Sequence, residues 1–391
     1  MKKYIPLFLT FLITLCVSCD HSKESDSDVL SCNPEDAPFT INLQDLKDTI
    51  NSTFKYSEFF SNVRYIPLES RPYATLRSIT QLELTNNHDY IVFDIMNLII
   101  IRYDSCGKFL NLVGQRGNGH EEYNYPISIT YSKYLNQVLV VDAGKTKIHF
   151  FNLDGTYDHS IDAPGRGCNI KVLDENHLIF YFAYSNYLKG YNYLITDNEG
   201  HYCHRFERVP DIPLPITPDG SKAFLHDGNE MLCYSNFSNI VYSVSADTLI
   251  PRYRLVPRSG KWKIDSPINV NKNTSTISED SHRIVSIYKT KDNIIMNILT
   301  PDYHGKIVII NEKGEIRCYD RSKNDVDNWI KVLGSYITQN RNEQYRSTTP
   351  EDFERLYNKM KDDSSVPKEK LQFVDKMSKE TNPILQICTL K

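Results

Sequence analysis

The amino-acid sequence predicts an all-β protein: a six-bladed β-propeller with four-stranded blades and a small helical insertion near the C-terminus. Three observations carry that expectation. Short apolar segments separated by polar turns recur in five groups between residues 79 and 319. The turns themselves repeat, as Tyr103-Asp104-Ser105-Cys106-Gly107, Asn152-Leu153-Asp154-Gly155, Asp197-Asn198-Glu199-Gly200 and Asn311-Glu312-Lys313-Gly314. Gly107 and Gly155 are 48 residues apart, Gly155 and Gly200 are 45 apart, and Asp247 in Ser245-Ala246-Asp247-Thr248 stands 47 further on. Four strands at such a period make a propeller blade. Finally, the last residues, Asn382 to Lys391, read as a strand. A β-sandwich beside a helical domain would show no such period and would not need its final residues to be a strand.

The elements follow in order. Lys2 and Lys3 precede an apolar run from Tyr4 to Val17, and then come Ser18 and Cys19. Positive charge, a short apolar segment and a small residue before Cys form a lipoprotein signal peptide over residues 1–18. The run falls short of the about 20 apolar residues that span a bilayer. Cleavage before Cys19 leaves that cysteine to carry lipid, and residues 19–38 form a polar tether with an acidic, Ser-rich start. The propeller then occupies residues 39–391.

Its first groups are Ile91-Val92-Phe93, Leu98 to Tyr103 and Phe109 to Val113, then Val138 to Val141, Lys147 to Phe151 and Thr156 to Ile161. Ile170 to Phe206, Ala223 to Leu255 and Arg283 to Tyr319 hold three more. A sixth blade closes from both ends of the chain, with Val63 to Leu68 as the outer strand beside the C-terminal one. That arrangement removes two frayed edges. Residues 351–379 carry Phe353, Leu356, Tyr357, Met360, Leu371, Phe373, Val374 and Met377 at helical spacing, so they form the insertion, with Pro367 between its halves.

Composition narrows the function. The chain has 391 residues, 26 Tyr and 17 Phe, too aromatic for a disordered protein. Its formal charge is -4, and loss of Lys2 and Lys3 with the signal peptide makes it -6. Nucleic-acid binding is therefore not expected, since it needs a concentrated positive field. Of nine cysteines, Cys16 leaves with the signal peptide and Cys19 takes the lipid. The remaining seven are widely spaced and often lie in apolar segments, as buried small hydrophobes do.

The run Gly117-Asn118-Gly119-His120-Glu121-Glu122-Tyr123 follows the first hairpin. With Tyr65-Ile66-Pro67-Leu68-Glu69, Cys106-Gly107-Lys108-Phe109-Leu110 and the C-terminal strand, it resembles the six-bladed propeller lipoproteins of gut Bacteroidetes, related in form to NHL-repeat propellers. Gly117, Gly119, Glu122 and Tyr123 match that family's Gly-x-Gly-Pro-Gly-Glu-Tyr pattern, whereas His120 and Glu121 replace its Pro and Gly. The resemblance implies the fold and a cell-envelope address, as an outer-membrane lipoprotein facing the periplasm or the cell surface. The acidic tether likewise resembles the export tags of surface lipoproteins in that group.

Two kinds of site can be drawn from the residues. The glycines suit a tight crossing between blades, with Glu122 accepting backbone N–H groups and Tyr123 wedged between sheets. Alternatively, His120, Glu121 and Glu122 offer an imidazole and two carboxylates to a divalent cation. Tyr181 to Tyr193 holds five tyrosines, and Tyr184, Tyr187 and Tyr191 present aromatic surface with polar handles, suited to a glycan or peptide. No catalytic motif is legible: no nucleophile elbow, no helical zinc motif, and no His or Glu set repeating at the blade period. His201-Tyr202-Cys203-His204 reads as a hairpin end, and Asp94, Asp142 and Asp197 sit just after strands. No cofactor is expected, with a divalent cation as the exception to test. The expected role is a binding or scaffold module for a glycan, peptide or envelope protein; the alternative is a metal-assisted hydrolase or lyase at the channel mouth.

Overall fold

Strands such as Tyr90–Asp94 and Gln137–Asp142 are buried along nearly their whole length, with no alternation of polar positions. A strand of that kind needs cover on both sheet faces. Radially arranged blades supply it, because each sheet packs against two neighbours. The computed structural model describes residues 26–42, 53–183, 188, 190–209, 223–227, 230–235, 238–256, 283–299, 305–327 and 335–391. Cys19, Tyr184 and Tyr187 lie outside the described residues.

Six antiparallel four-stranded sheets form the propeller. Blade I runs from Gln81 to Leu112, blade II from Pro126 to Asp162, blade III from Asn169 to Arg208, blade IV from Phe224 to Val256 and blade V from Arg283 to Tyr319. Blade VI combines Ser335–Asn340, Glu343–Thr348 and Ile384–Leu390 with Phe60–Pro67 as its outermost strand. The C-terminal strand pairs antiparallel with the N-terminal one, setting Leu385 opposite Ile66 and Ile387 opposite Arg64. Both ends of the chain thus share one blade, as the sequence predicts.

The core is divided among the six seams between blades. Ile91, Phe93, Val138 and Phe151 fill the seam of blades I and II; Tyr181, Tyr193, Met231 and Tyr242 fill that of blades III and IV. The other four seams hold comparable apolar clusters. Cys168, Cys233, Cys318 and Cys388 are buried among them, and all seven cysteines in the described residues are free thiols.

The hairpin glycines have two reasons to be glycine. Gly107 and Gly155 adopt φ of 81° and 91°, where a Cβ is strained. A Cβ on Gly155 would also stand 2.1 Å from the Leu112 carbonyl oxygen, and one on Gly107 would stand 2.3 Å from that of Pro67. Each turn is therefore pressed against the end of the preceding blade's outer strand. The Glu69 N–H donates to the Gly107 carbonyl at 2.8 Å and the Gly114 N–H to that of Gly155 at 3.1 Å.

The N-terminal segment forms a strap across three outer edges. Val29 bridges to Arg205 on blade III, Phe39–Asn42 adds a parallel fifth strand to blade IV, and Thr53–Lys55 pairs in parallel with Arg321–Lys323 beyond blade V. The strap satisfies edge N–H and C=O groups that would otherwise pair with other chains. The helical insertion is two helices, α1 (Pro350–Met360) and α2 (Lys368–Ser378). Thr349 and Asp352 close a capping box at the start of α1. Phe353 and Phe373 contact the Tyr65 ring edge-on at 5.6 and 5.7 Å, seating the pair on the outer strand of blade VI.

Candidate functional site

The crossing between blades I and II shows why its sequence has glycines and a glutamate. Glu122 folds back into its own loop, where Oε2 accepts the Gly119 N–H at 2.8 Å and Oε1 accepts the Gln115 amide at 2.9 Å. A Cβ on Gly117 would lie 1.8 Å from that carboxylate. Lys145 Nζ donates to the Gly119 and Glu122 carbonyls at 2.5 and 2.6 Å, tying the loop to blade II. Tyr123 is buried in the seam, edge-on to Phe151. His120 and Glu121 are exposed, and the His120 ring lies against Tyr157. These contacts make the segment a clasp between blades.

Asp94 and Asp142 serve the crossings too. Asp142 accepts the N–H groups of Asn124, Tyr125 and Gly144 at 2.7 to 2.9 Å and lies 3.3 Å from His149 Nε2. Burial pushes its carboxyl up, but the hydrogen bonds outweigh burial and hold it at about 2. Asp94 accepts the N–H groups of Arg77 and Met96 at 2.6 and 2.9 Å. In the channel, Gln81 joins three innermost strands, donating to Ser128 Oγ and Asn169 Oδ1 and accepting the Ile129 N–H. Lys171 pairs there with Glu83.

Among the described residues, one group of acid and imidazole side chains comes close enough to share an ion: Asp197, Glu199 and His201, on the exposed turn of blade III. Asp197 already accepts the Glu199 and His201 N–H groups, both at 2.9 Å, and its Oδ2 lies 2.8 Å from His201 Nδ1. His120, Glu121 and Glu122 do not form such a group.

Tyr191 stands elsewhere, in a cleft of about 430 Å³ at the seam of blades III and IV. The strap residues Val29, Leu30, Ser31 and Cys32 line it together with Tyr191, Glu207, Arg208, Tyr242 and Leu249 of the two blades. The volume lies within the range of small-molecule sites. Arg205 lays its guanidinium 4.7 Å from the centre of the Tyr191 ring and pairs with Asp28 of the strap at 3.2 Å.

Glu207 sits in the outermost strand of blade III at φ 57°, a left-handed conformation that costs a non-glycine residue on the order of 1–3 kcal/mol. Its Oε2 accepts from Ser235 Oγ and, at 2.9 Å, from Asn192 Nδ2. Its Oε1 is shut off from solvent and has no hydrogen-bond partner. Burial raises the carboxyl above its ordinary range, and the hydrogen bonds from Ser235, Ser238 and Asn192 only partly oppose that rise.

Thus Tyr191 belongs to a cleft, while His120, Glu121 and Glu122 belong to a clasp at another seam. The sequence does not reveal Glu207, Tyr242 or the strap wall. In sequence, Phe206-Glu207-Arg208 is an ordinary charged strand end; its burial depends on Ser235 and Ser238 of the next blade.

No protein of curated function matches the sequence significantly. Among solved structures, a Bacteroides fragilis protein whose name marks it for export superposes with a TM-score of 0.66 at 12% identity, over 90% of this chain and 99% of that one. A Bacteroides vulgatus member of the DUF4221 family gives 0.48 at 11% identity, over 85% and 97% of the two chains. Likeness at such identity concerns the fold alone. Sequence supplies the family: the pattern described as Domain of unknown function (DUF4934) matches residues 38–389, and the chain belongs to that family.

Proposed function

We propose that this chain is an exported lipoprotein held to the outer membrane through lipid on Cys19, and that its propeller is a binding or scaffold module for a glycan, peptide or protein partner. The observation that carries the binding role is the cleft between blades III and IV, where Tyr191 and Tyr242 give aromatic wall and Glu207 and Arg208 give polar anchors. The address rests on the basic, apolar and Ser18-Cys19 pattern of the N-terminal residues. Domain limits follow the same proposal: signal peptide 1–18, lipidated Cys19 with a polar segment to residue 38 whose part from Val29 docks on the blades as the strap, and the propeller from 39.

Two experiments test the two halves. Radiolabelled palmitate should enter the wild-type chain in expressing cells and not Cys19→Ala; equal labelling would refute the anchor. For binding, the purified full chain and its Tyr191→Ala variant are compared on immobilised glycans and peptides. Retained binding of a hit by the folded variant would remove the cleft as its site.

A further inference from the structure

We propose that the cleft between blades III and IV is a recognition site for a small organic ammonium group, with Glu207 as its counter-charge and the Tyr191 and Tyr242 rings as its aromatic walls. This deepens the binding role proposed above and rests on it.

Three observations converge. First, Glu207 is a shielded carboxyl without a cation. No arginine or lysine forms an ion pair with it among the described residues, and the groups that touch it are neutral: Asn192, Ser235 and Ser238. An ionised carboxylate in such surroundings is costly, and a cationic ligand removes that cost by supplying the missing charge. The hydrogen bonds from Asn192 Nδ2 and Ser235 Oγ converge on Oε2, while Oε1 has no partner at hydrogen-bond distance.

Second, the walls suit a cation. Tyr191 and Tyr242 line the space, and rings of this kind attract ammonium groups through their negative faces. Tyr191 already does so within the protein, carrying the Arg205 guanidinium at 4.7 Å. Val29, Leu30 and Leu249 provide apolar surface for the hydrocarbon body of a ligand. Third, Glu207 is held in a left-handed backbone conformation at φ 57°. Strain of this sort persists where the surroundings fix a side chain in place, and it concentrates at ligand sites.

The probe is phenethylammonium, with 2-phenylethanol as a neutral partner of nearly the same shape. Binding to the full chain is measured by calorimetry and by the shift in melting temperature near neutral pH. The ammonium should bind saturably, raise the melting temperature and bind at least about tenfold more tightly than the alcohol, the factor that about 1.4 kcal/mol of charge recognition supplies. Glu207→Gln, checked for folding by circular dichroism, should lose that preference, and Tyr191→Leu should weaken the ammonium. Equal affinity for ammonium and alcohol in the wild type would overturn the proposal without reference to any variant, as would unchanged ammonium binding in Glu207→Gln or no ammonium binding. If the ammonium fails while a glycan or peptide binds in a Tyr191-dependent way, the cleft stands as a site and only its ammonium chemistry falls.

Discussion

Burial between blades III and IV raises the Glu207 carboxyl above the ordinary glutamate range, so the folded protein holds its proton more tightly than the unfolded chain does. The sign follows directly. Stability from this group is fully present below the ordinary glutamate value and is lost as pH rises through the raised one. The titratable groups nearest to it, Tyr193, Tyr242 and Cys233, with Cys32 across the cleft, are themselves raised by burial and stay neutral over that window. Glu207→Gln should therefore melt higher than wild type at pH 8 and close to it at pH 4, in melting curves without ligand. A difference that does not change with pH would place the effect in packing instead of charge. Gly155 sets a second residue-scale case. Its φ of 91° and the 2.1 Å that a Cβ would leave to the Leu112 carbonyl oppose any side chain. Gly155→Ala should cost about 2 kcal/mol or more in urea unfolding, because backbone strain and the contact add. A change under about 0.5 kcal/mol would mean that the turn moves away from blade I at little cost.

Elements differ in how plainly the sequence announces them, and the difference follows what each one packs against. The second and third strands of a blade face neighbours on both sides, so Tyr90–Asp94 and Lys147–Asn152 are apolar and legible. Innermost strands meet one another across the channel through Gln81, Ser128 and Gln339, and Pro126–Ser132 and Ser335–Asn340 therefore escape a search for apolar runs. The paired α1 and α2 helices were legible from spacing alone, since Phe353, Val374 and Met377 bury one face. The strap was not, because four residues, Phe39–Asn42, give no period to read. Its weight in the fold can be measured. Ile41 is fully buried against Leu255 and blade V, and Phe39 stacks on Tyr253 at 5.4 Å. Ile41→Ala should cost about 2–5 kcal/mol by creating a cavity at that seam, as read from the midpoint of chemical unfolding. A loss below about 1 kcal/mol would show that the strap lies loosely on blade IV.

At the scale of the whole molecule, the ring has one joint that covalent order does not close, and blade VI makes it by hydrogen bonding. Strand Ile384–Leu390 lies between Glu343–Thr348 and Phe60–Pro67, so it is the sole link between the two ends of the chain within that sheet. It also carries Leu385, Ile387 and Cys388 into the seams on both sides. Asn382, just before it, adds a polar staple to blade I by accepting the Leu76 N–H at 2.9 Å and donating to Tyr103 Oη at 3.3 Å. Truncation after Asn382 keeps that staple and removes only the strand. The expected product has lost both of blade VI's central pairings with Phe60–Pro67 and Glu343–Thr348, exposes apolar surface from two seams, and leaves two unpaired strand edges. It should therefore show no cooperative melting transition and should aggregate. A shortened control lacking only Lys391, whose N–H bonds the Phe59 carbonyl at 2.9 Å, should melt within a few degrees of the intact chain. If the longer truncation instead melts cooperatively near the wild-type temperature, five blades hold their curvature without the sixth, and the seams alone would account for the stability of the ring.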